Sequence, residues 1–182
     1  LEKLLRLAEN NYLAVRQLAI QLMSEREPRQ AIGLEAWGVL LDSNYHHGLA
    51  AEMLRKHFGR SELTTEWFKN RLLTGTKHSV EFCQKYLLEL HTLSSLGVDY
   101  FEAILAQLGT ETRLKAVANF ALSCLKNLGC QLVNSTFLQR QLLHPLCQDT
   151  LINWINNDDI KANSLSMAYY HALAYEPEWE NN

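Results

Sequence analysis

The sequence is short of what chemical sites are usually assembled from. Four of its 182 residues are cysteine, and Cys83, Cys124, Cys130 and Cys147 show no CxxC spacing. No HExxH, no Cys/His cluster of zinc spacing, no GxSxG elbow and no glycine-rich phosphate loop occurs. Each absence removes a class: zinc sites, serine hydrolases and phosphate-cradling loops lose their anchors. Positive charge is also scarce, with 17 Lys and Arg against 20 Asp and Glu for a net charge of −3. The chain as a whole is therefore not built for nucleic acid. Its apolar runs are short and broken by charge, so none spans a membrane, and no secretory signal is visible. Strand-like alternation is missing as well.

What the sequence has is helix. Its 47% hydrophobic and 20% charged residues are ordinary globular material, and its length supports a sizeable core in one or two domains. Apolar residues recur at spacings of three and four almost throughout. Leu13, Leu18 and Leu22 share one face; so do Phe82, Tyr86, Leu87 and Leu90, and again Val117, Phe120, Ala121, Cys124 and Leu128. Cys83 and Cys124 lie within such patterns, where a thiol acts as a small hydrophobe. They read as reduced, which places the chain in the cytoplasm.

The breaks carry helix punctuation. Thr64 is a good N-cap with Glu66 in the first turn, and Leu63 can staple to Phe68. Val133, Asn134 and Leu138 repeat that arrangement. Pro28 and Pro145 suit first helical positions, and Gly97 and Gly109 suit helix ends. The expected spans are 1–9, 12–25, 28–41, 45–58, 65–73, 78–91, 98–108, 111–127, 135–143, 146–156 and 162–175.

A repeat emerges when one large apolar residue is taken from every second helix. Leu5, Trp37, Phe68, Phe101, Phe137 and Tyr170 are separated by 32, 31, 33, 36 and 33 positions. "ELTTEWFKNRLL", "GVDYFEAILAQL" and "VNSTFLQRQLL" read as versions of one segment, each followed by a more apolar second helix. A helix pair cannot cover its own apolar face, so pairs of this period stack. The sequence thus predicts an all-α fold, a single α-α superhelix of about five helix pairs over 1–182; a plain helical bundle is the alternative. Gaps that wander, and the segment "YLAVRQLAIQLMSE" with Val15, Arg16, Ala19 and Leu22, resemble HEAT repeats.

A more particular resemblance covers roughly 36–182. "AAEMLRKHFGRSELTTEWFKNRLL", "LLHP…LINWI" and "ALAYEPEW" are similar to the helical-repeat region of bacterial WGR-domain proteins related to the molybdate metabolism regulator. The WGR signature itself is missing, since Trp37-Gly38 is followed by Val39. The resemblance implies a domain rather than an activity. The chain opens at Leu1 and closes on "EPEWENN", and reads as a piece of a longer protein.

Candidate sites are few. His46 and His47 point about 100° apart on a helix and cannot share an ion. His78 and Glu81 have i, i+3 spacing without a further ligand nearby in sequence. His144 precedes Pro145 at a helix corner, where capping is the usual role. Asp158 and Asp159 sit in a polar turn. No catalytic residue, metal or cofactor is expected.

Charge is more informative. Arg55, Lys56, Arg60, Lys69, Arg71 and Lys77 stand against Glu62 and Glu66 between 55 and 78, a local +4. From 141 to 182, Lys161 stands against Asp149, Asp158, Asp159, Glu176, Glu178 and Glu180, a local −5. The six cations, divided between two opposite helix-turn edges, and Trp179 in the acidic tail are the candidate interaction surface. Trp37, Trp67 and Trp154 read as core. The expected function is a non-catalytic scaffold for a protein partner or for other domains of the parent chain. The alternative is a nucleic-acid backbone binder using the basic strip, as HEAT-like repair proteins do.

Overall fold

In a computed structural model that describes residues 1–157, chain segments form helices and connections, with no strand among the described residues. The chain divides into two compact units, Leu1–Thr92 and the part from Leu93 onward. The first contains α1 (Glu2–Ala8), α2 (Leu13–Ser24), a π turn (Pro28–Ile32), α3 (Leu34–Leu41), α4 (His47–His57), α5 (Thr65–Thr74) and α6 (Lys77–Leu90). The second contains α7 (Leu93–Ala106), a 3-10 turn (Thr112–Leu114), α8 (Lys115–Asn127), a second 3-10 turn (Leu132–Asn134), α9 (Thr136–Gln141) and α10 (Gln148–Asn157). Sequence neighbours pack as hairpins: α1 on α2, α3 on α4 and α5 on α6 in the first unit, α7 on α8 in the second. No helix among the described residues is long and apolar enough to cross a membrane.

One glycine revises the expected boundaries and another bears them out. The span 28–41 is not one helix, because Gly33 takes φ 82°, ψ 160° and separates the π turn from α3. Gly97, at φ 71°, ψ 178°, interrupts α7, and the straight helix starts at Val98 as expected. Both conformations lie where a Cβ is strained and glycine is not. Pro28 does occupy the start of its turn, whereas Pro145 lies in the turn before α10. The expected span 162–175, and Tyr170, Asp158, Asp159 and Trp179 with it, lie outside the described residues.

The period survives as a pattern of burial. Trp37, Phe68 and Phe101 each sit four residues after a helix-starting residue, Gly33, Thr64 and Gly97, and each is 0% exposed. Leu41, Leu72 and Leu105 follow one turn later and are buried too. In the second helices the equivalent buried positions are Ala50, Cys83 and Val117, then Leu54, Leu87 and Ala121. Thr64 caps α5 by accepting the Trp67 N–H at 3.2 Å, and Leu63 and Phe68, the two residues of the expected staple, are both buried.

The ends of the series depart from it. Leu5 is half-buried. Phe137 is half-buried as well, and Leu138 takes the core position. Ser135, not Asn134, accepts the Leu138 N–H at 3.2 Å, so α9 starts one residue later than expected, at Thr136. In α2, Ala19 and Met23 face the core, while Leu13, Leu18 and Leu22 are exposed. That apolar stripe is therefore an outer face. Trp37 and Trp67 are core as expected; Trp154 is half-buried under the Lys126 ammonium, 5.2 Å from its ring.

Truncating a buried phenylalanine costs about 3–5 kcal/mol. Phe101→Ala is expected to lower the urea midpoint strongly, and Phe137→Ala to lower it much less. Equal losses in the two variants would contradict this register.

Candidate functional site

The packing of one hairpin on the next decides which side chains meet. In the first unit α6 packs on both α3 and α4, so residues about one period apart become neighbours. Tyr86 donates its hydroxyl to the Arg55 carbonyl at 3.3 Å. His91 bonds the Leu63 carbonyl at 3.0 Å, and Arg55 faces Glu89 at 3.9 Å. In the second unit Thr150 donates to Asn119 at 2.6 Å, and Lys115 pairs with Asp149 at 2.7 Å. These partners lie 28 to 34 positions apart.

The most connected of these contacts is built on Asp42, the residue closing α3. One of its carboxylate oxygens accepts the Thr76 N–H at 2.8 Å and the Ser79 hydroxyl at 2.5 Å, and the other takes Arg71 at 2.8 Å. Thr76 is the N-cap of α6 and makes no side-chain cap of its own. Asp42 therefore caps α6 from the neighbouring hairpin, as an anion at the positive helix end. Arg71 lies against Gly38, where a Cβ would collide with its guanidinium. The tight fit leaves the Arg71 side chain 14% exposed, held also by Glu35 at 3.7 Å.

Beside this contact runs a groove between α4 and α6. Two adjoining hollows of about 420 and 240 Å³ share Ala51 and Arg55. Leu41, Ala51 and Phe82 give the smaller one its apolar lining, and His47, His78 and Glu81 complete it. Gly48, Glu52 and Lys56 line the larger. The imidazoles of His47 and His78 stack 3.7 Å apart and nearly parallel, at 4°. His47 Nδ1 donates to the Ser43 carbonyl at 3.1 Å, since a carbonyl can only accept. Arg55 lies over the Tyr86 and Phe82 rings at 5.2 and 5.7 Å. Burial pushes the Tyr86 hydroxyl above its usual range, and the Arg55 charge partly offsets that. The groove offers two imidazole faces, one guanidinium and an apolar floor. Among the described residues no three His, Cys, Asp or Glu side chains gather in a metal-binding group.

The six cations do not form one surface. Arg55 and Lys56 line the groove. Lys69 is 17% exposed and pairs with Glu66 at 2.8 Å, Arg71 is committed to Asp42, and Lys77 faces Glu81 at 3.7 Å. Lys56 and Arg60 are exposed, with no ion pair among the described residues. His46, the expected neighbour of His47, is buried and bonds the Ala8 carbonyl at 2.6 Å. His144 accepts the Leu146 N–H at 3.3 Å, a turn cap. The His47–His78 stack was not sought in the sequence, although their separation of 31 equals that of Trp37 and Phe68. The period itself was the signal. No family model, no curated protein and no solved structure matches the chain.

All four cysteines are free, and Cys83, Cys124 and Cys147 are buried. Burial pushes the Cys124 and Cys147 thiols up to about 11 and Cys83 further still. The unfolded thiols ionise first, near their ordinary value of 9.0. The unfolded state thus holds fewer protons above that value, and stability is expected to fall as pH rises from 9 toward 11. Urea titrations across that range check it; a flat profile would count against buried thiols.

Removing Asp42 leaves the Ser79 hydroxyl and the Thr76 amide without their acceptor and Arg71 with Glu35 alone. Asp42→Ala is expected to cost about 3 kcal/mol. Asp42→Ala with Arg71→Met should cost less than the sum of the two single changes, and strict additivity in that double-mutant cycle would show the pair to be uncoupled.

Proposed function

We propose that the chain is a non-catalytic helical-repeat scaffold that mediates protein–protein or intramolecular contacts. In this reading its hairpins continue as a HEAT-like α-α superhelix of about five helix pairs. It serves in the cytoplasm within a larger bacterial, regulatory protein, in keeping with the resemblance to the helical region of WGR-domain proteins. The observation that carries the reading is that hydrogen bonds and ion pairs join residues one period apart, such as Asp42 with Thr76 and Arg55 with Tyr86. Repeats that touch only their neighbours make extended surfaces rather than enclosed pockets. The hollows on α4 and α6 are open and shallow features of that kind.

The nucleic-acid alternative loses support from the ion pairs. A phosphate-binding strip needs cations free to release counterions, and Lys69, Arg71 and Lys77 are each matched by a carboxylate. Arg55 also faces Glu89, at 3.9 Å, so that alternative rests chiefly on Lys56 and Arg60.

Anisotropy titration of a DNA duplex at about 0.05 and 0.15 M salt tests the choice. No sub-micromolar binding is expected at the higher salt. Tight binding that weakens log-linearly with salt, and that is lost on replacing Arg55, Lys56 and Arg60 with Glu, would reverse the reading. Arg71 is unsuitable for this test, because its replacement disturbs the Asp42 contact.

A further inference from the structure

We infer that the stacked imidazoles of His47 and His78 form an acid-sensitive latch between the α3–α4 and α5–α6 hairpins, closed while one ring of the pair is neutral and released when both carry a proton. The two residues come from different hairpins, His47 at the start of α4 and His78 in the first turn of α6. Their ring centroids are 3.7 Å apart and their planes 4° from parallel. In this face-to-face arrangement neutral rings gain dispersion, whereas two imidazolium rings repel at close range. Histidine is the side chain whose charge changes between about pH 5 and 8.

The surroundings do not answer a second charge. His47 Nδ1 donates to the Ser43 carbonyl at 3.1 Å, so an added proton enters at Nε2, keeps that bond and changes only the charge. Helix α4 brings Arg55 to the same hollow, a further cation, and α6 brings Glu81. Glu81 is already faced by Lys77 at 3.7 Å. From α3, Leu41 lines the hollow, and Asp42 beyond it is bound to Arg71 of α5 and to Thr76 and Ser79. Glu52 and Lys56 line the adjoining hollow with opposite charges. A second imidazolium therefore has no anion of its own in this hollow.

Both rings are half-buried, so water screens the repulsion only in part. The unfolded chain has no stack and takes a proton on each ring in acid, whereas the closed pair takes one. The folded state therefore holds fewer protons than the unfolded state in acid, and the seam weakens as pH falls. Release acts where α6 packs on α3 and α4, and it opens the apolar floor of Leu41, Ala51 and Phe82 to water. The latch lies between hairpins and operates whatever partner the scaffold takes.

A double-mutant cycle of His47→Gln and His78→Gln, read by urea unfolding at about pH 7.5 and about pH 5, tests the latch. Glutamine is uncharged at either pH and can still donate to the Ser43 carbonyl. The other histidines and Glu81 are present in all four proteins, so their titration cancels. The coupling constant between His47 and His78 is expected to be favourable at the higher pH and to fall at least about tenfold at the lower. His78→Phe keeps a ring against His47 that takes no proton. It should lose less stability in acid than the wild-type chain, with circular dichroism showing its helices intact. A coupling that is the same at both pH values overturns the inference. So does a loss in acid for His78→Phe as large as that of the wild-type chain, because the sensitive groups would then lie elsewhere.

Discussion

A helical hairpin has more apolar surface than its two helices can hide from water by packing on each other. That shortfall governs the arrangement. Trp37, Phe68 and Phe101 are fully buried although each lies in the first helix of its pair, and pairing alone does not enclose side chains of that size. In the first unit the remaining cover comes from the next hairpin, with α6 against α3 and α4. The polar contacts then follow the same spacing. Asp42 reaches across to cap α6 because stacking brings the end of α3 to the start of α6, and the carboxylate there answers three donors at once.

This explains why much of the architecture was legible in the sequence. The period is a count of residues, and residues of one type at one spacing are visible without coordinates. Trp37, Phe68 and Phe101 were found that way, as were the Thr64 cap and the apolar stripes of α6 and α8. The errors arose where a backbone conformation, rather than a spacing, decides the outcome. Gly33 looks in sequence like any other glycine, yet it takes positive φ and restarts a helix within the expected span 28–41. Ser135 displaced Asn134 as the cap of α9 by one residue, and Leu138 rather than Phe137 is the buried residue there. The stripe Leu13, Leu18 and Leu22 was read from periodicity alone, and the structure turns it outward. Periodicity identifies an apolar face but not what covers it.

The candidate site was legible only in part. The sequence marks Arg55 to Lys77 as basic, and a charge count treats the six cations as equivalent. Their pairing separates them. Arg71 is a structural residue, packed on Gly38 and bound to Asp42, whereas Arg55 and Lys56 line the groove. The stacked His47 and His78 belong to different hairpins. Proximity in sequence puts His46 beside His47, but the fold sends His46 to the Ala8 carbonyl and pairs His47 with a residue one repeat away. For a chain of this kind, a search for chemistry has to be made along the period as well as along the sequence.

The one-period reach of these contacts has a mechanical meaning. In a fold stitched by distant pairings, a pull on two points loads many contacts together, and they fail together. Here the Asp42 carboxylate joins only two adjacent hairpins, and the Tyr86 hydroxyl and the His91 ring likewise reach one repeat back. Tension along the first unit is consequently borne in series, by one seam at a time. The seam with the fewest polar stitches yields first, while the hairpins on either side keep their shape. Compliance is thus distributed between repeats rather than within them, and a surface spread over two hairpins can adjust its span without any helix unwinding.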